Sequence, residues 1–265
     1  MTTIFASDPH GTGDAWINKV NLMLANHPEA KLVFGGDYID GRSSSKQTIN
    51  YVRQMQIKEH ATVLKGNHED LMEHFLLLRG EDRYGWFPNG AKTTIKSLLG
   101  RGYSKQMSYQ RLMQYKLYDG MDLFSWIATL PTVYVNQDGC FVHAYIDVRW
   151  KDIRQAIKKT DEIDRLWNRN LVENNDYICN RTNKAVIFGH TPTCYFKCCN
   201  DKNINIVKYQ SQINQKQRYA CPIIESQRKG YEPLIACDGG CHSTEKFNTG
   251  NVVVIDKGTI VDWIN

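Results

Sequence analysis

Five short polar blocks stand in one fixed order along the chain, each directly after an apolar, β-rich run. Ser7-Asp8-Pro9-His10-Gly11 follows Thr3–Ala6, and Gly36-Asp37-Tyr38-Ile39-Asp40 follows Leu32–Phe34. Gly66-Asn67-His68-Glu69 follows Thr62–Leu64, Val142-His143-Ala144 closes Cys140–Val142, and Gly189-His190-Thr191-Pro192 follows Ala185–Phe188. Runs of this kind form buried strands, which deliver the next side chains to one sheet edge. In α/β folds the chemistry sits at that edge. Carboxylates, imidazoles and one amide are therefore expected to converge, as in a two-metal phosphoester hydrolase.

The segments between the blocks carry helical patterns. Asp14 is placed as an N-cap, followed by a helix with Trp16, Val20, Met23 and Leu24 on one face and a stop at Asn26-His27-Pro28. A second helix spans about Ser45 to Lys58, giving a βαβαβ series with parallel strands. After Glu69 comes an amphipathic helix with Leu71, Met72, Phe75 and Leu76. A helical insertion is expected over about 80–130. From Val133 the pattern returns to strands, with a hairpin turn at Asp138-Gly139. Three β-like runs close the chain: Leu234–Cys237, Asn251–Ile255 and Thr259–Trp263.

A chain of 265 residues with 42% apolar content can bury one full core, so residues 1–265 are expected to form a single α/β domain. No apolar run approaches the roughly 18–20 residues of a membrane span. Asp8 and His10 lie too close to the first strand for a signal peptide to precede them, so a cytoplasmic location is expected. The net charge of +5 suits an anionic substrate but is too small to imply nucleic acid as a partner. Residues 193–233 hold seven cationic and three acidic side chains and are expected to form a basic surface insertion that guides anions. Of eight cysteines, seven lie at or beyond Cys179. Cys194-x3-Cys198 and Cys237-x3-Cys241 lack the tight pairs of a zinc site and are better read as buried or exposed thiols.

A two-metal centre needs one ligand reaching both ions, about 3.5–4 Å apart. Asp37 is assigned as that bridge. Asp8 and His10 complete the first ion's set; Asn67, His143 and His190 complete the second. Two divalent ions less two carboxylates and a hydroxide leave roughly one positive charge, which attracts a phosphate dianion. His68, beside Asn67, is assigned as the acid that protonates the leaving oxygen, with Asp40 supporting its imidazolium. Manganese is the first expectation, with iron or zinc compatible with the mixed donors. His60, His74 and His242 fall outside the blocks and are expected to be surface or packing residues.

These motifs resemble the calcineurin-like metallophosphoesterases, within them the phosphoprotein phosphatase branch, and most of all its bacterial and bacteriophage-type serine/threonine phosphatases. Trp86 to Gly90, Leu130-Pro131, Trp167-Asn168-Arg169 and Asp238-Gly239 extend the likeness. The resemblance implies a four-layer α/β/β/α sandwich and the same ligand, acid and carboxylate positions. It also implies two phosphate-binding arginines. Arg169 matches one; for the other, Gly41 takes the family position and Arg42 comes one residue later, either reaching the phosphate through a fold of the loop at Gly41 or pointing to solvent. The implied function is a metal-dependent phosphomonoester hydrolase acting on phosphoserine and phosphothreonine in proteins, by in-line attack of a metal-bridging hydroxide. The alternative is a symmetrical dinucleoside polyphosphate (diadenosine tetraphosphate) hydrolase. Pro192, where phosphodiesterases and nucleases of the family carry a second histidine, speaks against those. A third reading is a catalytically silent scaffold.

Overall fold

Alternation along the strands sorts side chains into three cores. In the computed structural model, which describes residues 2–173, 179–196, 202–211, 220–242 and 248–265, one sheet contains β1 (Thr3–Ala6), β2 (Lys31–Phe34), β3 (Thr62–Val63), β10 (Val252–Asp256) and β11 (Thr259–Ile264), in the order β11-β10-β1-β2-β3. The second contains β4 (Val133–Val135), β5 (Cys140–Val142), β6 (Val186–Phe188), β7 (Ile204–Tyr209), β8 (Ile223–Arg228) and β9 (Leu234–Ala236), in the order β4-β5-β6-β9-β8-β7. Within them β1, β2 and β3 run parallel, as do β5, β6 and β9.

Phe5, Val33, Val253 and Ile255 from the first sheet meet Phe141, Ile187, Ile223 and Ile235 from the second in a buried inter-sheet core. The ring centroids of Phe5 and Phe141 lie 5.6 Å apart across it. Ile4, Ala6, Leu32 and Phe34 point the other way, under α1 (Asp14–Asn26), α2 (Ser45–Lys58), α3 (Asn67–Leu77), α4 (Ala91–Leu99), α5 (Lys105–Met113) and α6 (Leu123–Ala128). Cys140, Val142, Val186 and Phe188 pack in the outer core of the second sheet with α7 (Ile153–Lys159) and α9 (Asn170–Glu173). The short α8 (Glu162–Trp167) lies between these two helices in sequence. The result is the expected α/β/β/α stack. No helix among the described residues is long and apolar enough to cross a membrane.

Three local expectations differ. Gly13, not Asp14, is the N-cap of α1; its carbonyl takes the first helical bonds, and Asp14 accepts from Gln47 instead. Helix α3 begins at Asn67, two residues before Glu69, so Asn67 and His68 belong to its first turn. Residues 193–233 are not simply a surface loop: β7 and β8 lie within them, and β8 buries Ile223, Ile224 and Ser226 against β9. Cationic side chains hid this pattern. Lys197, Lys216, Arg218 and Cys198 of that segment lie outside the described residues.

Candidate active site

Parallel strands from both sheets end at one edge, and their loops interlock. Beyond the last sheet bonds, Asp8 N donates to Gly36 O (3.1 Å), His10 N to Asp37 O (3.0 Å) and Gly11 N to Tyr38 O (3.1 Å). The loops after β1 and β2 are thereby zipped together. The loop after β3 is tied to them by Glu69: its carboxylate accepts from the backbone N–H of Asp37 (2.8 Å), Tyr38 (2.8 Å) and Gly66 (3.0 Å). Any Cβ on Gly66 would collide with Asp37 N and Oδ1, so only glycine admits this approach. Among the described residues, eight non-glycine residues have positive φ, and five of them are Asp8, His10, Asp37, Asp40 and His190. Such backbone is costly and clusters at functional sites.

The six sequence-assigned ligands come together, all buried. The two oxygens of Asp37 divide between two groups: Oδ2 lies 3.4 Å from His10 Nε2 and Oδ1 3.5 Å from His143 Nε2. Donor atoms of Asp8, His10 and Asp37 lie within 4.8 Å of one another, as do those of Asp37, His143 and His190. Asn67 Oδ1 lies 2.9 Å from His143 Nε2 and 2.8 Å from His190 Nδ1.

Backbone carbonyls fix the imidazole tautomers. His10 Nδ1 faces Ile39 O (3.1 Å), His143 Nδ1 faces Gly35 O (2.8 Å) and His190 Nε2 faces Trp167 O (3.1 Å). A carbonyl only accepts, so each of these nitrogens donates, and in a neutral ring the other nitrogen keeps its lone pair. Burial above all holds all three rings below their usual pKa, hence neutral; neighbouring His68 and His242 add to this at His10, and His143 and Arg169 at His190. Their lone pairs therefore face the oxygens of Asp37 and Asn67 with no proton between. Asp8 Oδ2 is buried without a hydrogen-bond partner. Burial, then the charges of Asp238 and Asp37, push the Asp8 carboxyl up. Backbone N–H groups of His68 and His190 reach Asp37 Oδ1 and Asp8 Oδ1, while Asp8 Oδ2 and the imidazole lone pairs converge without donors, which fits divalent cations bound by nitrogen and oxygen.

His68 and Asp40 stand beside this cradle. His68 Nδ1 and Asp40 Oδ2 are 2.7 Å apart, and His68 Nε2 faces Asp37 Oδ2 at 4.0 Å. Asp40 also accepts from Trp86 Nε1 (2.9 Å) and Thr94 Oγ1 (2.6 Å). Burial works against a charged His68 ring, but Asp37 and Asp40 outweigh it and bring the pKa to about 9. Arg169 borders the second group, with its guanidinium 3.4 Å from Thr191 Oγ1. Arg42 is placed differently from expectation: Nε donates to Cys241 O (3.0 Å) and an η nitrogen to Asn248 O (2.5 Å). Gly41 does let the loop fold back, but the guanidinium is turned to backbone carbonyls.

The sequence profile described as calcineurin-like phosphoesterase matches residues 1–194. This chain belongs to the calcineurin-like phosphoesterases. No curated protein matches its sequence. Among solved structures, this phosphoesterase is similar to a candidate diadenosine tetraphosphatase, with 15% identity, a TM-score of 0.51, and coverage of 99% of this chain and 92% of the other. It also resembles a metallophosphoesterase from Sphaerobacter thermophilus (10% identity, TM-score 0.46, 97% and 84% covered). A third is a protein serine/threonine phosphatase from Saccharomyces cerevisiae (14% identity, TM-score 0.48, 96% and 72% covered).

Two residues of the phosphoesterase site were given no role from sequence. Glu69 sits inside a recognised block, but its task of holding three N–H groups exists only once the loops meet. His242 was read as a surface or packing residue; it is exposed, and its ring centroid lies 4.8 Å from that of His10 and 5.0 Å from that of His68. The glycines at 239 and 240 were the available signal: they follow β9, a sixth parallel strand ending at the same edge. His74 and His60, by contrast, lie outside the cradle, His74 stacking on Tyr84.

Proposed function

We propose that this phosphoesterase hydrolyses phosphomonoesters, acting on phosphoserine and phosphothreonine of proteins. Asp8, His10 and Asp37 would hold one divalent cation, and Asp37, Asn67, His143 and His190 a second. When bound, such ions supply Lewis acidity and lower the pKa of water at the site. Arg169 would clamp phosphoryl oxygens through its planar fork. His68 would hold a proton on Nε2 and give it to the departing oxygen, while Asp40 fixes the ring through Nδ1.

The observation that carries this reading is the buried His68–Asp40 pair beside the Asp37 carboxylate. A serine or threonine alkoxide is a poor leaving group and needs an acid; a nitrophenolate does not. The likeness to a candidate diadenosine tetraphosphatase is one of fold, so it does not favour the dinucleotide as substrate.

The test is turnover by the purified protein with Mn²⁺, Fe²⁺ or Zn²⁺ on phosphopeptides, nitrophenyl phosphate, a phosphodiester and diadenosine tetraphosphate. Phosphopeptides should be turned over with the highest kcat/KM. Preference for the dinucleotide would move the assignment to the polyphosphate hydrolases. Inactivity on every substrate with every ion would leave a binding scaffold.

A further inference from the structure

His242 is the exposed member of a cluster of three histidines beside the candidate site. The rings of His10, His68 and His242 form a triangle with centroid separations of 4.8, 4.8 and 5.0 Å. Two of its corners are buried, with His10 only 3% and His68 7% exposed, while His242 is exposed. His68 Nε2 faces Asp37, so an oxygen protonated there would lie beside this cluster, with His242 its solvent-facing corner.

Three contacts put the ring in that place. Arg42 donates to Cys241 O, directly before His242, and to Asn248 O. Gly41, at φ 80°, packs its Cα side against His10 and His242: a Cβ there would stand 3.2 Å from His10 Cβ and 3.4 Å from His242 Cα. His242 Nε2 faces Asn89 O at 3.4 Å. That carbonyl only accepts, so Nε2 donates and Nδ1 is left as an acceptor with no partner among the described residues.

We infer that His242 is a substrate-contacting residue, recognising the leaving-group side of a phosphopeptide by accepting a backbone N–H at Nδ1. This rests on the reading of the site as a phosphomonoesterase. It gives Arg42 an indirect task, holding the recognition residue in place of the phosphate itself.

The experiment compares H242A and H242Q with the parent enzyme, using a phosphoserine peptide, nitrophenyl phosphate, and inorganic phosphate as competing inhibitor, with metal content measured throughout. In H242A the KM for the peptide should rise roughly five- to tenfold, the effect of losing one hydrogen bond and its ring contact. Inhibition by phosphate and ions per chain should stay within about twofold of the parent, and turnover of nitrophenyl phosphate should fall clearly less than that of the peptide. The amide oxygen of H242Q should recover part of the peptide KM. Equal losses on both substrates, or fewer ions per chain, would overturn the inference and make His242 part of the metal centre. An unchanged peptide KM in an active enzyme would also overturn it. A parent inactive on both esters would instead refute the phosphomonoesterase reading, and this inference with it.

Discussion

Replacing Asp40 by Asn removes one charge from a fully buried position while keeping the side chain's shape. Oδ2 takes both His68 Nδ1 (2.7 Å) and Trp86 Nε1, and Oδ1 takes Thr94 Oγ1; one amide oxygen can keep the Oδ2 pair, so the specific loss is the negative charge behind the His68 bond. Hydrogen bonds to charged groups contribute about 1.5–3 kcal/mol, so the imidazolium should lose roughly one to two pKa units. In the metal-free protein His68 stands at about 9, burial opposing the effects of Asp37 and Asp40. With cations on Asp37, Asp40 becomes the principal support of the charged ring.

An acid must be protonated to act, so activity on a poor leaving group falls as pH rises through its pKa. In Asp40→Asn the alkaline limb of kcat for a phosphoserine peptide should move down by about one to two units. From a starting value of about 9 that corresponds to a loss of roughly two- to tenfold at pH 8, growing to roughly 10- to 100-fold well above pH 9. Nitrophenyl phosphate, whose leaving group needs no proton, should lose less than about threefold. Steady-state profiles on both substrates, with ions per chain measured alongside, make the comparison. Equal losses with metals intact, or an unmoved alkaline limb for the peptide, would refute the assignment of Asp40 and His68.

His68→Asn should go further, keeping its ions while losing about 10²–10⁴-fold on phosphopeptides and much less on nitrophenyl phosphate. Glu69→Ala strands three N–H groups that hold the loops, at about 1–3 kcal/mol each; denaturant unfolding should show a loss of several kcal/mol, where an unchanged midpoint would mean the loops are held otherwise. Arg169→Ala should weaken inhibition by inorganic phosphate about tenfold or more, and Arg42→Ala much less; the reverse order would restore Arg42 as the phosphate clamp. In the metal-free protein, the His68 pKa is raised from 6.5 to about 9, so its stabilisation is full below 6.5 and lost as pH rises through 9. The thermal midpoint of apoprotein should accordingly show a fall across that window that His68→Asn lacks.

Much of the fold was legible because its strands are short, apolar and bounded by glycine or a polar block. The convergence of the candidate ligands was legible for the same reason, since a residue just past a buried strand has one edge to occupy. Three things depended on distant chain. The strands β7 and β8 carry polar and charged residues on a half-exposed edge, so Ile204–Tyr209 shows only weak alternation. Arg42 has a family neighbour one position away, but its direction is set by carbonyls roughly 200 residues later, beyond any local pattern. His242 follows two glycines in a chain with no repeated motif there, and only parallel pairing of β6 with β9 brings it to the edge.

The loops that carry the candidate donors are restrained by their own hydrogen bonds. Asp8, His10, Asp37, Asp40 and His190 all hold left-handed backbone, which costs of order 1 kcal/mol or more apiece. A loop free to relax would give that up. Here the β1 and β2 loops bond each other, Glu69 grips the β2 and β3 loops, and a backbone carbonyl orients each ligand imidazole. Strain and mutual repulsion are thus held by hydrogen bonds that involve no ligand lone pair. Cations arriving at such a cradle neutralise carboxylates that are already in position, rather than fold a loop around themselves. Chelation should therefore change charge and activity while leaving secondary structure intact; loss of helix or strand signal on metal removal would show that the ions build the site.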